Sequence, residues 1–181
     1  MTNGDKVFDE YLVSLSQSGS AKAFDQLCRR WTPRLTRYAS RILGDRSSAL
    51  DVVQESWISA IGGLRNLQDP GHFPAWIYGI ARRRCIDSIR ARHRNRKLAE
   101  RLWIDEASAV LTSPGGEDRA EQIDLRAAIA RLSPEQSEVV AVFYGEDLTI
   151  DEIAAVISIP PGTVKSRLFH ARQFLKSQTG E

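Results

Sequence analysis

Apolar residues recur at steps of three and four along most of the chain, which is the period of an amphipathic α-helix. The first stripe comprises Phe24, Leu27, Cys28, Trp31, Leu35, Tyr38, Ala39 and Ile42. Pro33 lies inside this stripe and predicts either a kink or the start of a second helix. Gly44 predicts the end of the segment, and Ser47 or Ser48 is the expected N-cap of the next helix.

Two further helices are predicted before a change in composition. The first has an expected inward face of Leu50, Val53, Trp57, Ile61 and Leu64. Residues 64–72, LRNLQDPGH, are typical of a polar, turn-rich loop. The second has an expected inward face of Phe73, Trp76, Ile77, Ile80, Ile86 and Ile89, and it becomes mostly cationic beyond Arg90. Because no segment shows sustained strand alternation, the sequence predicts an all-α fold.

The composition changes at residues 108–118, SAVLTSPGGED, which are small, polar and interrupted by proline and glycine. Such a segment is typical of a flexible linker. We therefore predict two small helical domains, residues 1–97 and 125–181, joined by a linker over residues 98–124.

The second domain begins with LRAAIARL, residues 125–132, followed by Ser133 as the expected N-cap of a helix that Gly145 ends. Thr149 and Glu152 predict a capped short helix over IDEIAAVI. A turn at Pro160 then precedes a last helix that carries several cations. A short helix, a turn and a second helix with exposed cations are the pattern of a helix-turn-helix.

Composition adds an uneven charge distribution to this picture. The 181 residues are 42% hydrophobic with a formal net charge of +2, so the chain can bury a core. Nine Lys/Arg and two acids lie in residues 82–101, whereas residues 133–157 hold six acids and no base. Such banding indicates separate surfaces for nucleic acid and for protein partners.

Several classes of protein are not expected from the remaining residues. Two cysteines and three distant histidines give no zinc spacing, and both cysteines are expected to be buried thiols. No phosphate-binding loop or nucleophile with a base is present, so we expect no cofactor and no enzymatic activity. The N-terminus lacks a signal peptide and no apolar run approaches a span of about 20 residues, so the protein is expected to be cytoplasmic without membrane insertion.

The last helix supplies the first candidate site. Val164, Leu168 and Ala171 are expected to face the preceding helix. The outward or flanking positions would then be Thr163, Lys165, Ser166, Arg167, Phe169, His170 and Arg172. Lysine and arginine can bond to phosphates or guanine acceptors, and serine and threonine can bond to either. A bundle's last helix with a solvated cationic face is the alternative, but the preceding cap, the proline turn and the charge reversal favour DNA contact.

Residues 148–175, LTIDEIAAVISIPPGTVKSRLFHARQFL, resemble the promoter-recognising region 4 of extracytoplasmic-function (ECF) sigma factors, small members of the bacterial sigma-70 family. ALDVVQESWISAI (49–61) and FPAWIYGIARRRCIDSIR (73–90) are similar to region 2 of that family. The chain departs from the family pattern at Ser158 (often glycine), Arg83 (often asparagine) and His170 (often arginine). The resemblance implies an alternative sigma factor that binds core RNA polymerase and recognises promoter DNA.

The resemblance also assigns expected roles in the first domain. It implies that Asp51, Gln54 and Glu55, which share a helix face, bind the clamp coiled coil of the largest polymerase subunit. It implies that the 64–72 loop captures an unpaired base of the minus-ten element, through Asn66, Gln68, Asp69 and His72. Phosphate contacts are expected from the arginine band, Arg82, Arg83, Arg90, Arg92, Arg94 and Arg96. Trp76 and Tyr78 are candidates for stacking on a base, with a core position favoured for Trp76.

Two other interpretations of the sequence remain. A stand-alone helix-turn-helix repressor or activator explains residues 125–181 but leaves Asp51, Glu55 and the arginine band without a role. A protein that only mimics a sigma factor would not need Lys165 and Arg167 outside the core. The resemblance also implies an anti-sigma protein as a possible partner.

Overall fold

The computed structural model describes residues 3–102, 127–146 and 148–179. These residues form helices and no strand, so the all-α prediction is confirmed. We number the long helices α1 (Asn3–Gln17), α2 (Ala21–Leu43), α3 (Arg46–Gly63), α4 (Phe73–Leu102), α5 (Pro134–Glu146), α6 (Ile150–Ile157) and α7 (Pro161–Thr179). Two short 3₁₀ segments, Leu64–Asn66 and Pro70–His72, lie between α3 and α4.

Local capping explains where the first helices begin and end. The Ser20 hydroxyl accepts a hydrogen bond from the backbone N–H of Ala23 and caps α2. Gly44 ends this helix in the left-handed conformation, with φ of 69°. Pro33 lies inside an α2 that continues past it, so no second helix starts there. The N-cap of α3 is Asp45, not a serine, because its carboxylate accepts hydrogen bonds from the next residues' backbone N–H groups.

Aromatic rings fill the core of the first bundle, α1–α4. Trp31 meets the rings of Phe73 and Tyr78 edge to face, with centroids 5.4 Å and 6.0 Å away. Tyr38 meets Tyr78 in the same way at 5.1 Å. The indole N–H of Trp31 also donates to the buried carboxylate of Asp9, at 3.2 Å. This hydrogen bond fixes α1 on α2.

The second bundle, residues 127–179 around α5–α7, has two predicted caps that are confirmed. Ser133 and Gln136 exchange side-chain-to-backbone hydrogen bonds at 3.3 Å and 3.2 Å. Thr149 and Glu152 form a capping box at the start of α6. The expected end of α5 at Gly145 is wrong by one residue, because the helix continues to Glu146. Residues 127–130 are helical, as predicted.

α4 continues to Leu102, so its last five residues, 98–102, fall within the predicted linker. The rest of the predicted linker, including residues 108–118, lies outside the described residues.

The second bundle packs on the first, with α6 against α4 and α5 against α2. Glu138 of α5 accepts a hydrogen bond from the Tyr38 hydroxyl and another from Nε of Arg82. A cavity of about 380 Å³ lies beside this contact, between α2, α4 and α5. None of the helices within the described ranges is long and apolar enough to cross a membrane.

Candidate nucleic-acid and partner interfaces

The cationic face of α7 is held outward by apolar packing on its other side. Val164, Leu168 and Ala171 are buried, as predicted, together with Ile153, Ala154 and Ile157 of α6. Lys165, Ser166, Phe169 and His170 are therefore exposed, and 57% of Phe169 is accessible. Thr163 and Arg167 are half-buried at the edge of this face.

Arg172 is oriented by aromatic rings of α5. Its Nε donates a hydrogen bond of 2.7 Å to the Tyr144 hydroxyl. Its guanidinium also lies over the rings of Phe143 and Tyr144, 5.5 Å and 5.6 Å from their centroids. Cation–π contacts of this kind restrict the side chain without neutralising its charge. Tyr144 is thus a residue near the candidate DNA surface that sequence reasoning missed.

The turn between α6 and α7 is made by a serine in an unusual conformation. Ser158 has φ of 61° and ψ of 47°, in the left-handed region. It is the one non-glycine residue with positive φ in the described part of the chain. The backbone N–H of Ile159 donates to the Ala154 carbonyl at 3.1 Å and closes the end of α6. The turn therefore adopts a conformation that glycine would take without steric cost.

α3 exposes a mixed acidic and apolar face. Asp51, Gln54 and Glu55 are exposed, as predicted. Leu50 and Ile61 were expected inward, but 48% and 63% of these residues are accessible. Ile58 is also exposed, at 64%. These six residues, Leu50, Asp51, Gln54, Glu55, Ile58 and Ile61, are called the α3 face below.

Val53, Trp57 and Leu64 are buried, as predicted for the inward face of α3. Small residues explain why Leu50 and Ile61 were wrongly included in that face. The buried positions of α3 include Ala49, Ser56 and Ala60, which let the helix approach its neighbours closely. Because these residues carry little hydrophobicity, the predicted stripe was drawn through larger apolar residues, and it included Leu50 and Ile61 at the edge of the buried side. The spacing of Ala49, Ser56 and Ala60 by seven and then four residues was the signal that could have identified the buried side.

An arginine of α4 borders the α3 face. Nη2 of Arg84 donates a hydrogen bond of 2.7 Å to the Ser59 hydroxyl. Its Nη1 lies 4.0 Å from a carboxylate oxygen of Glu55. Arg84 was not predicted as a site residue, and it places a positive charge beside the acidic part of the α3 face.

The 64–72 loop is more ordered than a turn-rich sequence suggests. Nε2 of Gln17 donates to the carbonyls of Leu64 and Leu67, at 2.9 Å and 2.7 Å. The Asp69 carboxylate accepts from the backbone N–H of Gly71 at 2.8 Å and lies 2.9 Å from Nδ1 of His72. Asn66, Gln68, Asp69 and His72 are all exposed. The loop thus presents four polar side chains on a backbone fixed by α1.

The arginine band of α4 occupies several environments. The Arg82 side chain is 22% exposed and pairs with Glu138 at 2.9 Å. Arg83 is exposed, and Arg90 lies 3.8 Å from Asp87 at the surface. Arg92 is 3.5 Å from the Asp45 carboxylate, and Arg94 and Arg96 are exposed.

The two aromatic candidates for base stacking differ. Tyr78 is fully buried, so it cannot stack on a base in this structure and that interpretation is wrong. Trp76 is half-buried and packs against Phe73, with ring centroids 6.0 Å apart, which agrees with the core interpretation.

Both cysteines are thiols, as expected, although only Cys85 is fully buried. Burial, followed by the charge of Asp25, raises the pKa of the Cys28 thiol to about 11. Burial, followed by the charge of Glu138, raises the pKa of Cys85 to about 12. Both side chains therefore remain protonated near neutral pH and act as apolar packing groups.

The described residues form a two-bundle helical protein with a helix-turn-helix that exposes cations and a separate helix face that exposes carboxylates beside apolar residues. Comparison with known protein families identifies the family to which this helical protein belongs. The sigma-70 region 2 model matches residues 27–95, and the sigma-70 region 4 model matches residues 122–175.

Three curated relatives are sigma factors. The chain is 31% identical over 175 residues to the ECF RNA polymerase sigma factor SigE of Mycolicibacterium smegmatis, covering 96% of this chain and 66% of the relative. It is 29% identical to the sigma factor SigV of Bacillus subtilis, covering 78% and 82% of the two chains. It is also 29% identical to the sigma-H factor of Pseudomonas aeruginosa, covering 91% and 90%.

Two solved structures share the fold. The sigma factor RpoE in complex with the anti-sigma factor NepR from Bartonella quintana aligns with a TM-score of 0.68 and 23% identity, over 87% of this chain and 97% of that one. CnrH in complex with the cytosolic domain of CnrY aligns with a TM-score of 0.65 and 23% identity, over 94% and 96%.

The chain belongs to the ECF sigma factors of the sigma-70 family. It is therefore an alternative sigma factor, which confirms the function implied by the sequence resemblance.

Proposed function

We propose that the first bundle binds core RNA polymerase through the α3 face and contacts the minus-ten element through the 64–72 loop and the arginine band. The second bundle recognises the minus-thirty-five element through α7. The domains are then α1–α4, ending at Leu102, and the second bundle, with the connecting residues between them. The protein acts in the cytoplasm, where polymerase and promoter DNA meet.

The observation that carries this proposal is the composition of the α3 face. Three large apolar residues, Leu50, Ile58 and Ile61, are exposed beside two carboxylates and an amide. Exposed apolar groups on one helix stripe favour a packed protein partner, because their burial removes apolar surface from water. The carboxylates favour a partner with basic residues and orient it. A coiled coil with a basic surface has both properties.

The polymerase contact is tested by reversing two charges. Asp51→Lys/Glu55→Lys should reduce association with core polymerase by at least tenfold, since both residues would face basic groups of the partner. Because both side chains are exposed, stability should change little. The matched control is Asp25→Lys, an exposed acid on α2 that pairs with Arg29. A pull-down in which the double variant and the control retain polymerase equally would exclude the α3 face.

The contribution of α7 is tested with Lys165→Ala. A phosphate contact predicts a nearly uniform loss of affinity across DNA sequences and a salt slope smaller by about one. A base contact predicts a loss of discrimination at one position, of about 1–3 kcal/mol. Lys22→Ala, an exposed lysine of α2, is the control. Binding equal to that of the unmodified protein in both respects would remove α7 from the DNA interface.

A reconstituted transcription assay separates the sigma factor from a stand-alone regulator. Free protein should bind duplex DNA weakly and with strong salt dependence, because neither bundle alone needs high affinity. Unpaired thymines detected with permanganate should appear only when core polymerase is added. Tight operator binding without polymerase, and no transcript with it, would favour the repressor instead.

A regulatory protein partner also belongs to the proposal. The sigma factor RpoE, which shares the fold, is bound in its structure to an anti-sigma factor. We infer that an anti-sigma protein binds this chain as well. Affinity purification of the tagged protein from its own cells, followed by mass spectrometry, should recover such a protein in addition to polymerase subunits.

A further inference from the structure

The 64–72 loop contains two short 3₁₀ turns, Leu64–Asn66 and Pro70–His72, which are held in different ways. The second turn is held from within the loop. The Asp69 carboxylate lies 2.9 Å from Nδ1 of His72, and the Asp69 carbonyl accepts a hydrogen bond of 3.0 Å from the backbone N–H of His72. The two side chains of this half of the loop therefore fix one another.

The first turn is held from outside the loop by Gln17, the last residue of α1. Its Nε2 donates hydrogen bonds of 2.9 Å and 2.7 Å to the carbonyls of Leu64 and Leu67. Because carbonyl oxygens only accept, both hydrogens of the amide group are used, one for each carbonyl. The backbone N–H of Leu67 donates to the Leu64 carbonyl at 3.1 Å and closes the turn. One side chain thus fixes both ends of the turn that carries Asn66.

α1 is attached to the core of the first bundle, so Gln17 is itself held firmly. The carboxylate of Asp9 accepts hydrogen bonds from Nε of Arg30 at 2.8 Å and from the indole N–H of Trp31 at 3.2 Å. Leu12 of the same helix is buried. The match to the sigma-70 region 2 model begins after α1, whereas it includes the whole of the loop. A helix outside the family-defining segment therefore supports a loop inside it.

Asn66 is the side chain that this support serves. It is exposed, and its amide group can both donate to and accept from the edge of a base. A side chain discriminates between bases most effectively when its backbone is ordered before binding, because ordering a loop during binding offsets part of the gain. The backbone on either side of Asn66 is ordered by the two hydrogen bonds from Gln17.

We propose that Gln17 is a positioning residue for base capture, which holds Asn66 in place for the unpaired base of the minus-ten element. Asp69 and His72 form a second half of the loop that does not depend on Gln17. The inference rests on the proposed function of the 64–72 loop. It adds a residue of α1 to that site and divides the loop into two units that respond differently to substitution of Gln17.

Hydrogen exchange in the full chain tests the structural part of the proposal without DNA. Gln17→Met keeps a side chain of similar length but has no N–H donor. The backbone N–H of Leu67 should exchange about tenfold faster, the factor that corresponds to one hydrogen bond, whereas that of His72 should keep its rate. Gln26→Met, the same change at an exposed position of α2, is the control and should alter neither rate.

The outcomes of the exchange experiment are distinct. An unchanged rate at Leu67 in Gln17→Met would overturn the role of Gln17. Equal acceleration at Leu67 and His72 would overturn the division of the loop into two units. If Gln17→Met folds poorly, Gln17→Asn takes its place, because it keeps the amide group but shortens its reach to the two carbonyls by one methylene.

Holoenzyme reconstituted from core polymerase and each variant tests the contact with DNA. The probe is a single-stranded oligonucleotide from the unpaired segment of a promoter selected from genomic DNA, with each base replaced in turn by an abasic site. A captured base is the position at which base removal weakens binding. Gln17→Met should weaken binding of the intact oligonucleotide about tenfold and leave binding of the oligonucleotide without that base unchanged. The salt dependence should not change, because no phosphate contact is lost.

Double-mutant cycles show which half of the loop Gln17 serves. Gln17→Met and Asn66→Ala should be non-additive, since both remove the same base contact, whereas Gln17→Met and His72→Ala should be additive. Additive losses with Asn66→Ala would overturn the positioning of Asn66. Full binding by Asn66→Ala and His72→Ala would instead refute the proposed function of the loop, and the exchange result at Leu67 separates that failure from a failure of Gln17 to hold the turn.

Discussion

The two bundles fill their cores with different side chains. The first buries four aromatic rings almost completely, those of Trp31, Tyr38, Phe73 and Tyr78. In the second, the buried apolar residues of the described segments are aliphatic, with Val139, Val142, Ile153 and Val164 among the most deeply buried. Edge-to-face ring contacts add geometric specificity to the burial of area. The first bundle is therefore expected to be a rigid support for α3 and for the 64–72 loop.

The second bundle is small, and small domains bury a lower fraction of their surface. Its aliphatic core must be supplemented by capping and by contact with the first bundle. Stability is thus expected to be unevenly distributed, and four substitutions test that expectation in order of decreasing effect.

The largest effect is expected from Trp31→Ala. The residue is 1% exposed, so its truncation leaves a cavity and should cost about 3–5 kcal/mol. It also removes a hydrogen-bond donor from Asp9, which is 3% exposed. Urea unfolding followed by circular dichroism measures the change. Phe169→Ala is the exposed aromatic control, expected to change stability by less than about 0.5 kcal/mol. A loss below 1 kcal/mol for Trp31→Ala would contradict an aromatic core that governs stability.

Ile153→Ala should have a smaller and more local effect. Ile153 is fully buried in the second bundle, and its truncation should cost about 2–3 kcal/mol, the low end for a buried isoleucine. Hydrogen exchange should show lost protection in α5–α7 while α1–α3 keep theirs. Equal loss of protection in both bundles would mean that they unfold as one unit, and the comparison between them would then be wrong.

Sequence reasoning succeeded where local chemistry determines structure. The capping box of Thr149 and Glu152 and the turn at Pro160 before α7 depend on residues close together in the chain, and both were predicted correctly. The N-cap of α3 was also local, yet Asp45 was overlooked in favour of the serines that follow it. Short-range hydrogen-bonding preferences are readable from sequence because they need no knowledge of tertiary packing.

The errors arose at positions where tertiary packing determines whether a residue is buried or exposed. Leu50 and Ile61 match a helical stripe, but the small residues of α3 are buried instead. Tyr78 was a candidate for stacking on a base, but the residues packed around it bury it completely. The pair of Arg82 with Glu138 joins residues 56 positions apart, so no local pattern indicates it. Long-range contacts of that kind determine which candidate site residues are accessible.

The third substitution removes the capping box of α6 and tests how far the stability of the second bundle depends on it. Thr149→Ala should cost about 1 kcal/mol, because the backbone N–H of Glu152 loses its acceptor at 3.2 Å. Thr149→Ser keeps the hydroxyl and should retain most of the stability. Thermal unfolding measures both variants. Equal stability of the alanine variant and the unmodified protein would show that the second bundle does not depend on this cap.

The smallest effect is expected at the α6–α7 turn, where the substitution should stabilise the protein. Ser158 has φ of 61°, a region in which an L-residue with a Cβ is strained by about 1–2 kcal/mol. Glycine removes this strain, but it also increases the entropy of the unfolded chain and so offsets part of the gain. The net change for Ser158→Gly should therefore be a stabilisation of about 0.5–1 kcal/mol.

The control for Ser158→Gly is the same chemical change inside a helix. Ser166 is exposed within α7, so Ser166→Gly should destabilise the bundle by about 0.5 kcal/mol through lost helix propensity. Urea unfolding of both variants measures whether each substitution raises or lowers the free energy of unfolding. Destabilisation of similar size at both positions would mean that the turn gains nothing from glycine. The cost of the left-handed serine would then not contribute to the lower stability of the second bundle.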